Sequence, residues 1–335
     1  MGSTRIEYID LAKGLCIILV VFNHANYVLA PVDYPLSDAL CVMRMPLYFF
    51  LSGLFFKPYE SYFGFQKRKI NKLLIPFLFF RIGSCIITPF VNDTPFEWHK
   101  LWDFLYSPLS APNTPIWFLM CLYWLNQMFY GIYKIGSKSK CPIAVISILS
   151  LLLGIIGFEI GRTPYNISAM NIGTAMTATP FFCAGYLFKS HTKILYPSKS
   201  DKYLLIPIVA CAIYTFYFAK TADYFTNRYE SNIWITYSCG ITGVLSVIFL
   251  SKIIKWVPLV SYFGRYSIII LVTHMPILQR LIPYLKHFEW QPWYITLLVG
   301  SLVTMFLYIF IIPLMRKHFP HVTAQKDAIP ISNIE

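Results

Sequence analysis

Asp10, Lys13 and His24 lie in DLAKGLCIILVVFNH, residues 10–24, a run otherwise built mostly of Leu, Ile, Val and small side chains. A helix advances about 100° per residue and rises about 1.5 Å. Eleven residues therefore bring His24 back over Lys13 with an offset of about 20°, about 16 Å further along the axis. Asp10, three residues before Lys13, joins the same face. One charge at mid-bilayer costs about 2.5–3.5 kcal/mol on insertion scales, so a stripe of three is expected to face protein or water. The residue types suit catalysis. Imidazole works as a general base near neutral pH, a lysine guides or neutralises an anion, and a carboxylate orients or pairs with that lysine. A structural alternative is an Asp10–Lys13 ion pair near one interface, with Lys13 snorkelling. That alternative leaves His24 unexplained.

Two further stretches carry polar groups at helical spacing. In QKRKINKLLIP, residues 66–76, Lys69 and Lys72 share a face and Arg68 stands beside them. Such a cluster can bind lipid headgroups or hold the phosphates of a cytosolic nucleotide-like cofactor. In YFGRYSIIILVTHMPI, residues 262–277, Ser267 and His274 are seven apart on one face, flanked by Arg265 and Arg280. The segment MPLYFFLSGLFF, residues 45–56, offers a kink at Pro46 and a small surface at Ser52-Gly53 for close helix packing.

The elements that must position these groups are membrane spans. Of 335 residues, 57% are hydrophobic and 13% charged, against about a quarter charged in soluble domains. Mean hydropathy is +0.57. Ten stretches approach the roughly 20 apolar residues a span needs, near 9–30, 37–56, 73–91, 115–133, 142–159, 170–188, 203–219, 232–250, 265–285 and 293–315. The expected fold is all-α and polytopic, with about ten transmembrane helices over residues 1–320 and a polar cytoplasmic tail at 321–335. With a cytoplasmic N-terminus, 18 basic residues fall on inner segments. Five fall on outer ones: Lys100, Arg162, Lys220, Arg228 and Lys286. The positive-inside rule then puts both termini in the cytoplasm. The longest outer loop, about 92–114, carries Asp93, Glu97, His99 and Asp103. The net charge of +13 follows this loop pattern and comes with no nucleic-acid recognition motif, so no nucleic-acid partner is expected. The eight cysteines include no CxxC pair and read as small apolar residues, neither a disulfide framework nor a metal site. The first span lacks an A-x-A cleavage pattern and is expected to be retained.

Together these stretches resemble the membrane-bound acyltransferase 3 family. Lys13-x10-His24 resembles its R/K-x10-H signature, with Asp10 at the Asp of D-x-x-[RK]-G. MPLYFFLSG resembles its second-helix motif. Lys69-x-x-Lys72-Leu-Leu-Ile-Pro76 resembles its RxxR-LL-x-P segment, PIWFL (115–119, containing Trp117) its Trp-Phe motif, and GRYSIIILVTH its penultimate helix. The matches keep their order over most of the chain. Two positions depart: both basic residues of the RxxR-like pair are Lys, which lacks the bidentate fork of Arg, and Arg44 stands where relatives often have His. An extracellular hydrolase-like domain, carried by some relatives, is not expected here.

The resemblance implies an integral plasma-membrane O-acyltransferase. It would move an acyl group, most often acetyl, from cytosolic acetyl-CoA or another acyl-CoA to a hydroxyl of a surface or lipid-linked carbohydrate, with no metal. On that reading Arg68, Lys69 and Lys72 hold the CoA phosphates and Lys13 guides the phosphopantetheine arm. His24 is the general base or acyl relay, and Asp10 supports Lys13. Arg44, Trp117, Ser267 and His274 are candidate substrate or channel residues. The rival readings are a transporter or flippase for a glycan or small anion, and a structural or sensory membrane protein. The oligomeric state is open.

Overall fold

The structure is a computed structural model. It describes residues 6–29, 36–57, 61–92, 94–106, 112–164, 166, 169–190, 196–288 and 294–331. Arg5, Asp93, Lys193 and the end of the tail, 332–335, lie outside the described residues.

Among the described residues the chain is a bundle of helices with one small hairpin. In order come α1 (Glu7–Leu29) and α2 (Ser37–Leu54). Next is a continuous helix made of α3 (Tyr62–Lys69), a π-helical turn (Ile70–Leu74) and α4 (Ile75–Asn92). Then follow α5 (Trp117–Gly136), α6 (Pro142–Gly161), α7 (Ile172–Thr177), α8 (Thr179–Ser190) and α9 (Leu205–Phe218). A two-stranded antiparallel hairpin, β1 (Ala222–Asp223) with β2 (Arg228–Tyr229), precedes α10 (Ile233–Ile254), α11 (Pro258–Arg265), α12 (Ser267–Lys286) and α13 (Tyr294–His318).

Among the described residues, each of the ten expected segments is largely helical. Seven of the resulting helices are long and apolar enough to cross a membrane, and the chain is a multi-pass membrane protein. The other three segments differ for local reasons. Helix α2 carries Asp38 and Arg44 within 18 residues, and α5 is diluted by Asn126, Gln127 and five Trp or Tyr side chains. The stretch near 170–188 is broken at Ala178 into two short helices, entered through left-handed Met170 and Asn171 (φ 48° and 55°). All eight cysteines are free thiols; five are buried, while Cys141 is exposed.

Helix α1 forms the axis. It packs against α2, α10, α11, α12 and α13, and its buried side chains, among them Tyr8, Ala12, Ile17, Val21 and Ala25, point in several directions. Glu7 and Asp10 occupy its first turn, where the helix macrodipole favours negative charge. The α1–α11 crossing is a backbone contact. A Cβ at Gly14 would strike the Val260 carbonyl, and one at Gly264 would strike the Asp10 carbonyl and the Gly14 nitrogen. Overpacking a core costs about 1–3 kcal/mol. Gly264→Ala, whose obstacle is main chain, is expected at or above the upper end. Its thermal unfolding midpoint should fall well below that of the parent, while Gly83→Ala, which meets nothing within 4 Å, should leave it unchanged.

Elsewhere the bundle is tied by buried polar groups. Lys252 and Asp201 pair at 2.9 Å with side chains 3% and 10% exposed. Asn227, in a left-handed conformation (φ 57°), bonds the Gly157 carbonyl and accepts from Thr177 and Tyr229, locking the hairpin against α6 and α7.

Candidate active site

His24 lies late in α1 and faces α12. Its Nδ1 is 2.7 Å from His274 Nε2, and the rings stack with centroids 4.9 Å apart. His274 is fully buried, and its Nδ1 lies 2.8 Å from the Ile270 carbonyl. A carbonyl only accepts, so His274 carries its proton on Nδ1. In a neutral pair His274 Nε2 is then an acceptor, and His24 must donate from Nδ1. That leaves His24 Nε2 as the unprotonated, basic nitrogen. The chain Ile270 carbonyl, His274, His24 thus fixes one tautomer, the role an orienting partner gives a catalytic histidine.

A cavity of about 370 Å³ opens at the other end of α1. Lys13, Arg68, Lys69 and Lys72 line it together with Ser267, so five of the ten candidate residues meet in one space contributed by α1, α3, the π turn and α12. Lys13 Nζ sits 4.5 Å from the Phe55 ring and Lys69 Nζ 5.5 Å from the Phe65 ring, cation–π contacts that hold both stems. The π turn is defined by an i→i+5 bond, Ile75 N–H to the Ile70 carbonyl. The extra residue turns Asn71 fully inward while Lys72 stays exposed. Such π turns are frequent at functional sites.

The cavity lining does not include His24 or His274. It stops at Tyr48, Phe118 and Leu271, and Leu271 is three residues, about 4.5 Å of helix rise, before His274. On α1 the same stripe is filled between Lys13 and His24 by buried Ile17 and Val20. Asp10 does not line the cavity; its carbonyl lies at the Gly264 crossing. Arg44 is buried on α2, donating to Cys41 Sγ at 3.1 Å, with its carbonyl accepting from Cys16. Trp117 lies apart from the cavity, beside Arg81, Phe104 and Asn171 around a small cleft, its ring 5.7 Å from Phe225.

Sequence reasoning missed four groups. Tyr48, inside the quoted MPLYFFLSG, lines the cavity and donates to the Lys13 carbonyl at 3.3 Å. Asn113 donates to the Val272 carbonyl at 2.8 Å, pinning the segment before α5 beside the histidine pair. Asn126 is 3% exposed and lines the cavity. Its Nδ2 must face the Leu122 carbonyl, at 2.7 Å, because that oxygen only accepts, and its Oδ1 is left buried without a partner. An amide pair, Asn126-Gln127, in an apolar, aromatic-rich helix was the available signal. The fourth is the tail. Asn71 donates to the Ile329 carbonyl and accepts from the Ala328 and Ile329 amides, and Lys72 pairs with Asp327 at 3.0 Å. Asp327 and Ile331 therefore form part of the cavity wall.

Among the described residues no group of three His, Cys, Asp or Glu could hold a metal. A membrane-embedded helical bundle with a cation-lined cavity at one end and a hydrogen-bonded histidine pair deeper in defines a multi-pass membrane protein with an enzyme-like polar centre. Residues 6–312 match the model of an acyltransferase domain, and the chain belongs to the acyltransferase 3 family. The tail after residue 312 lies outside the match. Comparison with curated proteins and with solved structures found no match.

Proposed function

We propose that the protein is an acyl-CoA-dependent O-acyltransferase of the plasma membrane, with cytoplasmic termini and a carbohydrate hydroxyl as acceptor. The carrying observation is the tautomer-fixed His24–His274 pair placed one helical turn beyond a cation-lined cavity. The cavity takes the thioester arm: Lys13, Arg68 and Lys69 lie along its anionic end, and the Asn126 carboxamide oxygen accepts from an amide N–H of the pantetheine chain. Phe118 and Leu271 turn aside to admit the acyl end to His24. His24 Nε2 then takes the proton of the acceptor hydroxyl as its oxygen attacks the thioester carbonyl. The C–S bond breaks, and the imidazolium returns the proton to the departing thiolate, giving an ester and free CoA thiol.

The test is acceptor-dependent release of CoA thiol by purified protein given labelled acetyl-CoA and cell-envelope glycan. Label should appear on the glycan as an alkali-labile ester. No thiol release with any glycan fraction would refute the reading and favour a transporter. Asn126→Leu removes an acceptor and leaves a donor without its place, which costs about 1–3 kcal/mol for a desolvated polar contact. It should raise KM for acetyl-CoA about tenfold or more with KM for the acceptor unchanged.

A further inference from the structure

A second basic cavity adjoins the first, and none of the expected roles uses it. It has a volume of about 560 Å³ and is lined by Arg265, Tyr266, Pro313, Arg316, Lys317, Pro320, Gln325 and Lys326. Its four cations come from the end of α11, the last turn of α13 and the tail, and among the described residues no carboxylate lines it. Two guanidiniums converge on one ring: Arg316 is 4.6 Å and Arg265 5.6 Å from the centroid of Tyr266. The ring attracts each cation, but the cations repel one another, and an arrangement of this kind gains most from a bound anion. The Lys13 cavity differs, because there Lys72 already has Asp327 as its counter-ion. The two spaces are neighbours along two stretches of chain. Tyr266 lines one and Ser267 the other, and Lys326 lines one and Asp327 the other.

We propose that this basin binds the 3′-phosphorylated adenosine end of the acyl-CoA donor, with the pyrophosphate near Lys69 and the pantetheine arm in the Lys13 cavity. The assignment rests on the acyl-CoA reading above. A phosphate monoester brings about −1.5 to −2 charge at neutral pH, and Arg265 and Arg316 offer the forked donors that match it. A lipid headgroup has the same phosphate chemistry. The nucleotide is favoured because the basin and the cavity proposed for the arm are lined by adjacent residues at two places, Tyr266 beside Ser267 and Lys326 beside Asp327.

The test uses full-length protein in nanodiscs and direct titration with CoA, 3′-dephospho-CoA and adenosine 3′,5′-bisphosphate. The parent should bind CoA at least about tenfold more tightly than dephospho-CoA and should bind the bisphosphate in competition with CoA. In the double variant Arg316→Ala/Lys317→Ala, CoA should fall to the affinity of dephospho-CoA, whose own affinity changes little. Arg265→Gln, on another helix, should show the same convergence, which guards against misfolding of either variant. Equal CoA affinity in parent and variants overturns the proposal. So does a variant that loses only co-purifying anionic phospholipid while keeping its affinity for the bisphosphate. If the bisphosphate binds and the variants lose it, yet acetyl-CoA never turns over, the basin stands and the acyltransfer reading fails. If the variants transfer acetyl with unchanged KM for acetyl-CoA, the basin fails and the acyltransfer reading stands.

Discussion

His24→Ala is expected to lower kcat for acyl transfer by about 10²–10⁴-fold, the usual contribution of a positioned general base. The protein should remain inserted and folded. His24 is half-buried and its ring hydrogen-bonds and stacks on His274, so its loss removes chemistry more than packing. On the proposed reading KM for acetyl-CoA should hold, because the imidazole does not line the cavity assigned to the donor's arm. Single-turnover measurement of thiol release separates the two constants. A variant with parental kcat would remove His24 from the reaction.

The second large effect belongs to His274, which touches no substrate on this reading and acts as a positioning residue. His274→Leu takes away the acceptor that keeps the His24 proton on Nδ1. The Nε2 lone pair is then no longer enforced, and loss of a tautomer-fixing partner can cost up to about 10⁴-fold in kcat. His274→Gln, able to offer a carboxamide oxygen to His24 Nδ1, should recover part of that loss, whereas a merely space-filling role would favour Leu over Gln. The readout is the ratio of the two kcat values, with thermal unfolding measured alongside. If Leu retains as much activity as Gln, His274 is a packing residue.

Much of this site was legible in the residues because helical periodicity is a strict rule. Lys13 and His24 do share one uninterrupted helix, and Ser267 does line the cavity while His274, on the same helix, meets His24. The direct contact between residues 24 and 274 was not legible. Spacing places side chains on faces but does not say which faces meet across 250 residues. The π turn was hidden for a related reason: INKLL carries the composition of an ordinary helix, and the tail that Asn71 bonds from this turn lies over 250 residues away in sequence. Gly14 and Gly264 were visible as letters, but their function as a backbone-to-backbone contact needed both helices. The tail read only as polar and cytoplasmic. Its few anchoring bonds to Asn71 and Lys72 leave no periodic mark, so its place in the cavity wall came only from the fold.

That tail gives the mouth a rival that travels with the protein. The Asp327 carboxylate is tethered to the end of α13 by a few residues, so its effective concentration at Lys72 does not fall when the protein is dilute. Any anion arriving at that lysine displaces an incumbent, and its apparent dissociation constant exceeds the intrinsic one by the reciprocal of the fraction of time the incumbent is away. The mouth therefore answers to the supply of anion through a set point written in the segment that carries Asp327.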